Sequence, residues 1–303
     1  MLRIDGRATN QLRPISLEYD ILGYSNASVL FSIGHTKVLA SVYLQIGVPA
    51  FLRGQQTGWL TAEYAMLPCS THKRSDREST QQQRNARSVE ISRLIGRSLR
   101  SIVDLDKLGE KTIIVDCDVL QADGGTRVAC ITAASLALNL ACQRWIQASI
   151  FDASVIKDSI AAISVGNLDG ISCLDLCCQE DNNTDADFNF VLTKSGKLIE
   201  IQGTAEKMPL AWEHFDAFKV LAIKGAQDLF DSCSQFPAPT NFHPITLLYQ
   251  NKQIQPAYQT KQSQQKQNYQ QKQNQQKSQV KSEQEAFDAK VAPFSLGKRI
   301  GKF

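Results

Sequence analysis

The stretch QADGGTR, residues 121–127, contains residue types that can bind an anion. It follows the strand-forming run TIIVDCDVL and leads into a long apolar segment, so it lies at a predicted strand-to-helix junction. Glycines that permit positive φ can form a nest of backbone N–H groups, and the next helix N-terminus adds partial positive charge. Arg127 adds a forked guanidinium and Thr126 a hydroxyl, which suit a phosphate. These residues alone also fit an ordinary turn, and their spacing is not that of a P-loop.

A second candidate group lies in QEDNNTDADFNF, residues 179–190, where two carboxylates stand six positions apart. We expect Asp181 to end one strand and Asp187 to begin the next, so that the turn between them brings both side chains together. Strand alternation places Phe188 and Phe190 on one face and Asp187 on the other. Like charges held close need a cation or a shared proton, which indicates a divalent metal or a general acid. Taken alone, the cluster fits a solvated acidic turn better.

The elements that position the first group are strands followed by two helices. In chain order they are predicted strands at 28–33, 37–48 and 58–67, a helix from Ser88 onward, a strand at 112–120 and a helix at about 128–147. The first helix is amphipathic with a basic side that carries Arg93, Arg97 and Arg100. The second helix is apolar on nearly every face, which predicts that it is buried.

The second half of the chain has the pattern of two hairpins and a closing helix. The predicted strands are 159–166, 171–178, 187–193 and 197–203, and the predicted helix is 211–230. We interpret the strands as a meander, and the whole body as an α+β domain built of strand groups that are each followed by helices.

Composition indicates a soluble protein that is not secreted. The 303-residue chain begins MLRIDGRATN, which lacks the apolar core of a signal peptide, and no window reaches transmembrane length. The eight cysteines lie mostly in apolar segments without a C-x-x-C pair, which favours reduced, buried thiols over disulfides or zinc. We interpret the vicinal pair Cys177 and Cys178 as core-filling residues on a strand rather than a redox pair.

Charge divides the chain into a body and a tail. Residues 250–303 contain ten Lys or Arg and three Asp or Glu, a net charge of +7, which leaves −4 for residues 1–249. Glutamine fills 14 of the 32 positions from Gln250 to Lys281, so apolar content is too low to offset the entropy of ordering. We therefore expect one domain at 1–240 and a disordered basic tail at 241–303. The tail either attracts phosphate groups of a polyanion or only solvates the protein.

Five segments in order carry a family resemblance that spans most of the body and none of the tail. They are RIDGRATNQLRPI at 3–15, GWLTAEYAMLP at 58–68, EISRLIGRSLRSIVDL at 90–105, DCDVLQADGGTR at 116–127 and LIEIQGTAE at 198–206. The chain resembles ribonuclease PH, a phosphate-dependent exoribonuclease. The resemblance implies the ribonuclease PH fold (ribosomal protein S5 domain 2-like), with mixed and antiparallel sheets and packed helices. It also implies Mg²⁺, inorganic phosphate as co-substrate and a homohexamer that is a trimer of dimers.

The resemblance also implies roles for particular residues. Phosphate would be bound by Arg87 and by Gly125, Thr126 and Arg127. Asp181 and Asp187 would be the catalytic pair, and both are candidate metal ligands. Arg74 and Arg77 would contact RNA. The implied reaction removes nucleotides from the 3′ ends of tRNA precursors, and also acts in rRNA processing, in a cytoplasmic or organellar compartment and without a membrane partner.

Three positions depart from the family pattern, and two other functions remain open. The family usually has Arg where this chain has Cys69, Gly where it has Ala86, and Tyr near the position of Gln179. The absence of an arginine at position 69 would weaken contact with RNA. A non-catalytic, RNA-binding ring subunit of the same superfamily would keep the fold but lose phosphate or carboxylate positions. A hydrolytic nuclease would need no phosphate seat.

Overall fold

The computed structural model describes residues 3–77 and 85–242. The predicted tail at 241–303 lies outside the described residues apart from its first two positions, so its disorder stays a prediction. Within the described part the strands are β1 (Ile15–Tyr19), β2 (Ala27–Ile33), β3 (Thr36–Ile46), β4 (Trp59–Met66), β5 (Lys111–Gln121), β6 (Ile160–Leu168), β7 (Ile171–Leu174), β8 (Ala186–Thr193) and β9 (Leu198–Ala205). The α-helices are α1 (Ala86–Arg100), α2 (Leu105–Leu108), α3 (Thr126–Gln147), α4 (Cys178–Asp181) and α5 (Trp212–Ser234).

The first sheet has the strand order β1-β2-β3-β5-β4 and is mixed. The predicted strands at 28–33 and 37–48 correspond to β2 and β3, which form a hairpin. Gly34 at its turn has a φ of 57°, which glycine adopts without steric cost. β4 and β5 are parallel because α1 and α2 return the chain to the start of the sheet between them. The five-residue β1 has no counterpart among the predicted strands, although it completes the edge beside β2.

The second sheet has the order β7-β6-β8-β9 and its neighbouring strands are antiparallel. Both predicted hairpins are confirmed, but the meander is wrong because β8 pairs with β6 rather than with β7. Every residue of β6 from Ile160 to Asn167 is buried, so this strand lies inside the sheet with partners on both sides. After β7 the chain leaves the sheet at Asp175, whose φ is 55°.

The segment that follows β7 is a short helix and not the continuation of a strand. Asp181 is therefore the last residue of α4, and the prediction that it ends a strand is wrong. Glu180 accepts a hydrogen bond from the Cys177 N–H at 3.0 Å, which closes the turn in the manner of a capping box. Cys177 and Cys178 are half-buried at the start of this helix, so the interpretation of the pair as core-filling strand residues is also wrong.

Helix α3 lies between the two sheets, which explains its apolar sequence. It packs against β2, β3 and β5 of the first sheet and against β6 of the second. α1 packs on β4 and beside α3, whereas α5 covers β6 and β7. Five of the eight cysteines are buried between these layers, and Cys69 is exposed. No helix of the described residues has the length and apolar character needed to cross a membrane.

Candidate active site

The loop between β5 and α3 forms the predicted seat for an anion. Gly124 and Gly125 have φ values of 77° and 66°, as the glycine pair predicted. α3 begins at Thr126, two residues earlier than expected, so Thr126 and Arg127 belong to its first turn. Because the N-cap residue Gly125 has no side chain, it leaves the first N–H groups of α3 for a ligand.

The hydroxyl of Thr126 is held by a residue that sequence reasoning missed. The Tyr64 hydroxyl on β4 lies 3.2 Å from Thr126 Oγ1, and both side chains are buried. Burial raises the pKa of Tyr64 to about 12, so this phenol stays protonated and keeps a hydrogen available to share. The signal was present in GWLTAEYAMLP, but a tyrosine on a strand is more often a packing residue.

Arg127 is oriented by side chains of two other elements. Its Nη1 donates to Gln202 Oε1 on β9 at 3.0 Å, and its Nη2 lies 3.7 Å from Glu90 Oε2 on α1. Arg87 lies in the first turn of α1, where Asn85 caps the helix by accepting from the Arg87 N–H at 3.0 Å. The N-termini of α1 and α3 thus both present an arginine at the site.

The two aspartates come together through α4 and β8. Asp187 is the second residue of β8, opposite Gly166 and Thr204, and its side chain lies near that of Asp181. Burial and then the charge of Asp181 raise the pKa of Asp187 above its usual value. Burial also raises the pKa of Asp181, although Arg87 and Arg127 act in the opposite direction.

Further charged residues were missed by the sequence analysis. Glu206, which follows β9, raises the pKa of both aspartates as a third nearby carboxylate. Arg3 forks onto the Glu180 carboxylate, with Nε donating to Oε1 at 2.7 Å, and its Nη1 donates to the Leu174 carbonyl. Arg7 Nη2 lies 3.6 Å from Glu180 Oε2. Arginines of the N-terminal segment therefore hold the helix that carries Asp181.

The predicted RNA-contacting arginines lie on an exposed segment. Arg74 Nη1 lies 3.4 Å from Asp76 Oδ1. Arg77 is the last described residue before 78–84, which the structure does not describe. Their contact with RNA stays a prediction. A cleft of about 1240 Å³ opens beside the loop at 123–127, the candidate phosphate-binding loop, and its walls include Asp123, Gln179 and the segment from Cys69 to His72. The side chains of Arg127, Asp181 and Asp187 do not line this cleft.

The donor set at this site is compatible with Mg²⁺. Among residues 3–77 and 85–242, no three His, Cys, Asp or Glu side chains are arranged to enclose a metal ion by themselves. Mg²⁺ commonly takes one or two protein carboxylates and completes its shell with water and substrate phosphate. Asp181 and Asp187 provide such a pair, and a cation would relieve their mutual repulsion.

Comparisons with known proteins identify a family over part of the chain and a fold over most of it. The 3′ exoribonuclease family, domain 1, matches residues 11–142, a range that includes Arg87 and the phosphate-binding loop but ends before both aspartates. Rice (Oryza sativa) Rrp46 is 22% identical, with 76% of this chain and 97% of its own covered and a TM-score of 0.61.

Two archaeal structures have the same fold. A chain of the Archaeoglobus fulgidus exosome with RNA bound to the active site is 19% identical, with 76% and 91% coverage and a TM-score of 0.62. A chain of an archaeal exosome core is 21% identical, with 75% and 89% coverage and a TM-score of 0.59. At these identities the likeness concerns the fold, and the predicted α+β fold class is confirmed.

Proposed function

The chain belongs to the RNase PH family of 3′ exoribonucleases, whose first domain it carries at residues 11–142, and we propose on this premise that it is a phosphorolytic 3′→5′ exoribonuclease. One observation carries the proposal. An anion site with two arginines lies near a pair of aspartates, Asp181 exposed and Asp187 half-buried, whose pKa values are raised. A hydrolytic nuclease would have no use for such a seat, because water is its nucleophile.

The reaction is the transfer of a nucleotidyl group to inorganic phosphate. Phosphate held by Arg87, Thr126, Arg127 and the first N–H groups of α3 attacks the phosphorus of the terminal phosphodiester. The bond from that phosphorus to the 3′ oxygen of the preceding nucleotide breaks, and a nucleoside diphosphate leaves. Catalysis of this transfer rests mainly on alignment of the nucleophile and on charge neutralisation.

The aspartates act at the other side of the reacting phosphorus. Asp181 would donate a proton to the leaving 3′ oxygen, a role that the upward direction of its pKa shift favours, or serve as a second metal ligand. Asp187 is the main candidate ligand for Mg²⁺, which supplies positive charge for the phosphate oxygens. The arginines Arg87 and Arg127 share that charge neutralisation.

We propose that the substrates are 3′ ends of tRNA precursors and of rRNA. The exosome structures that share the fold are assemblies, one with RNA bound to its active site, which supports a ring with RNA-binding surfaces. We propose a homohexamer, a trimer of dimers, whereas a mixed ring is the alternative.

The second candidate is a non-catalytic RNA-binding ring subunit. Two observations favour it: Cys69 and Gln179 replace residues that the family pattern would have, and the solved structures with this fold include exosome subunits. All of the phosphate and carboxylate positions are nevertheless present. This retention favours the enzyme.

The deciding experiment uses a tRNA with extra 3′ nucleotides, incubated with and without phosphate and Mg²⁺. We expect nucleoside diphosphates only when phosphate is present, and at least about a 100-fold lower rate for Arg127→Ala or Asp187→Ala. Arg53→Ala, which alters an exposed arginine outside the site, is the control. Wild-type rates in either site variant would refute the assignment. Monophosphates in phosphate-free buffer would indicate a hydrolase, and RNA binding without any product would indicate the ring subunit.

A further inference from the structure

We propose that Arg13 and Asp175 form a positioning pair that holds the phosphate-binding loop and the helix carrying Asp181 in one fixed geometry. The inference rests on the proposed phosphorolysis and adds to it two residues that touch neither substrate nor metal. The two residues are 162 positions apart in sequence. Arg13 adjoins the phosphate-binding loop, and Asp175 adjoins the segment that leads to Asp181.

The pair is fully engaged within the protein. Three N–H groups of Arg13 donate to the Asp175 carboxylate: the backbone N–H to Oδ2 at 2.8 Å, Nε to Oδ2 at 3.0 Å and Nη2 to Oδ1 at 2.7 Å. Arg13 is 4% exposed and Asp175 is 0% exposed. Because the carboxylate neutralises the guanidinium at close range, Arg13 acts through geometry rather than by attracting phosphate.

Arg13 also lies directly behind the phosphate-binding loop. Its Nη1 donates to the carbonyl of Asp123, and its Nη2 is 3.5 Å from the carbonyl of Gly124. A methyl group on Gly125 would lie 3.3 Å from the same Nη2. Thr36 also supports the loop, since its hydroxyl accepts from the Asp123 N–H and donates to the Gly124 carbonyl.

Asp175 in turn fixes the start of the segment that leads to Asp181. Its backbone N–H donates to the Ser164 carbonyl on β6 at 2.7 Å, and its φ of 55° turns the chain out of the sheet. Six residues later the chain reaches Asp181 at the end of α4. Arg7 adds a weaker contact, with Nη1 3.3 Å from Asp175 Oδ2.

A second contact joins the phosphate-binding loop to the segment between Asp175 and α4. A methyl group on Gly124 would lie within 2.8 Å of three backbone atoms between Leu176 and Cys178. The phosphate-binding loop therefore rests directly on the segment that joins Asp175 to α4. A shift of either half must displace the other unless the Arg13–Asp175 pair breaks.

The consequence concerns the rate of the chemical step more than phosphate affinity. The groups that would bind phosphate are all still present in the chain without Arg13, so a variant can still bind it. The alignment between bound phosphate and Asp181 is lost, and a misplacement of about 1 Å can cost on the order of 100-fold in rate.

The test compares Arg13→Lys with Arg144→Lys. Lysine keeps the charge but lacks the fork that joins the carboxylate to the loop carbonyls. Arg144 is a matched control because it is also a buried arginine that forks onto one carboxylate, that of Asp20, with Nη1 2.8 Å from Oδ1. It lies 18 residues after Thr126 in α3, about 27 Å from the site along the helix.

We expect Arg13→Lys to lower kcat at least tenfold while the KM for phosphate changes less than threefold. Arg144→Lys should shift the urea midpoint of unfolding by a similar amount but leave kcat within twofold. Asp175→Asn, which suits a positive φ, repeats the test if Arg13→Lys does not fold. A wild-type kcat in Arg13→Lys or Asp175→Asn would overturn the inference, and so would an equal loss in Arg144→Lys. A wild-type protein that releases no diphosphate would refute the proposed function instead.

Discussion

At the scale of single residues, Asp181 and Asp187 lie where their surroundings disfavour the ionised form of a carboxylate. Burial and neighbouring carboxylates both disfavour the ionised form of Asp187, whereas Arg127 and a backbone hydrogen bond favour it. Such an arrangement is unfavourable for stability and suits a site that gains a cation or donates a proton. Ionised Asp181 and Asp187 are therefore each expected to lower the free energy of unfolding.

This effect predicts that Asp187→Asn stabilises the metal-free protein at neutral pH. The pKa of Asp187 in the folded protein is raised above its ordinary value of 3.8. Below 3.8 the group is protonated in both states and contributes nothing, and its penalty grows as pH rises through the raised pKa. Urea unfolding in EDTA should show a gain for Asp187→Asn at pH 7 that shrinks toward pH 4.

The control for this prediction is Asp169→Asn. Asp169 is exposed in the turn between β6 and β7, and its φ of 50° is one that asparagine also tolerates. This variant should show no gain at either pH. A lower stability of Asp187→Asn at pH 7 would contradict the interpretation that ionised Asp187 opposes folding.

At the scale of elements, the junction between β5 and α3 is shaped by contact with the segment before α4. The double glycine is required for two different reasons. Positive φ at Gly124 and Gly125 turns the N-terminus of α3 toward the site. At Gly124 there is in addition no space for a side chain, because the backbone of residues 176–178 lies against it.

We therefore expect Gly124→Ala to be much more damaging than Gly170→Ala. The two glycines have nearly the same φ, 77° and 79°, but a methyl group at Gly170 would meet nothing within 4 Å. Both variants should lose about 1 kcal/mol of unfolding free energy from backbone strain. Gly124→Ala should lose about 1–3 kcal/mol more from overpacking.

Urea unfolding measures this difference, and the phosphorolysis assay adds a second readout. Gly170→Ala should keep nearly full activity because its turn lies away from the loop. Equal losses of stability in the two variants would show that strain alone, and not contact with the segment before α4, determines the glycine at 124.

At the scale of the whole molecule, two sheets with α3 between them bring distant parts of the chain to one place. The site combines the N-terminal segment, the loop at 123–127 and the region from Asp175 to Glu206. β9 is an edge strand of the second sheet, and large apolar side chains remain exposed on β9, on α5 and between them. These side chains are Leu198, Ile201, Met208, Trp212 and Val220. We expect these side chains to contribute to an interaction surface between subunits.

For the assembled protein we expect a mass about six times the chain mass of 33.6 kDa. In a ring with closed symmetry, contacts between subunits would bury apolar surface that is exposed on a single chain. Light scattering coupled to size exclusion measures the mass. Trp212→Glu, which alters a side chain 79% exposed, should shift it to smaller species, whereas Lys194→Glu on an exposed turn should not. A stable wild-type monomer would contradict the proposed ring.

What the sequence by itself determined is local. Periodicity predicted most strands and the three long helices, the glycine pair predicted positive φ, and ordered motifs indicated the family. The residues proposed to bind phosphate are adjacent in the chain or begin a helix, so a linear pattern contains them. Element ends were less accurate: α3 begins at Thr126 rather than Val128, and β1 was missed.

Only the tertiary structure decided which distant side chains meet. α4 has four residues, too few for a helical period to show, so Asp181 was predicted to end a strand. The order of β6, β7 and β8 in the sheet depends on which strand edges can pair in the folded protein. A local sequence pattern does not contain that information. Arg3, Arg13 and Asp175 have the charges of surface residues in a linear sequence. They are buried because each finds its opposite charge more than 160 positions away, and only the fold brings those partners together.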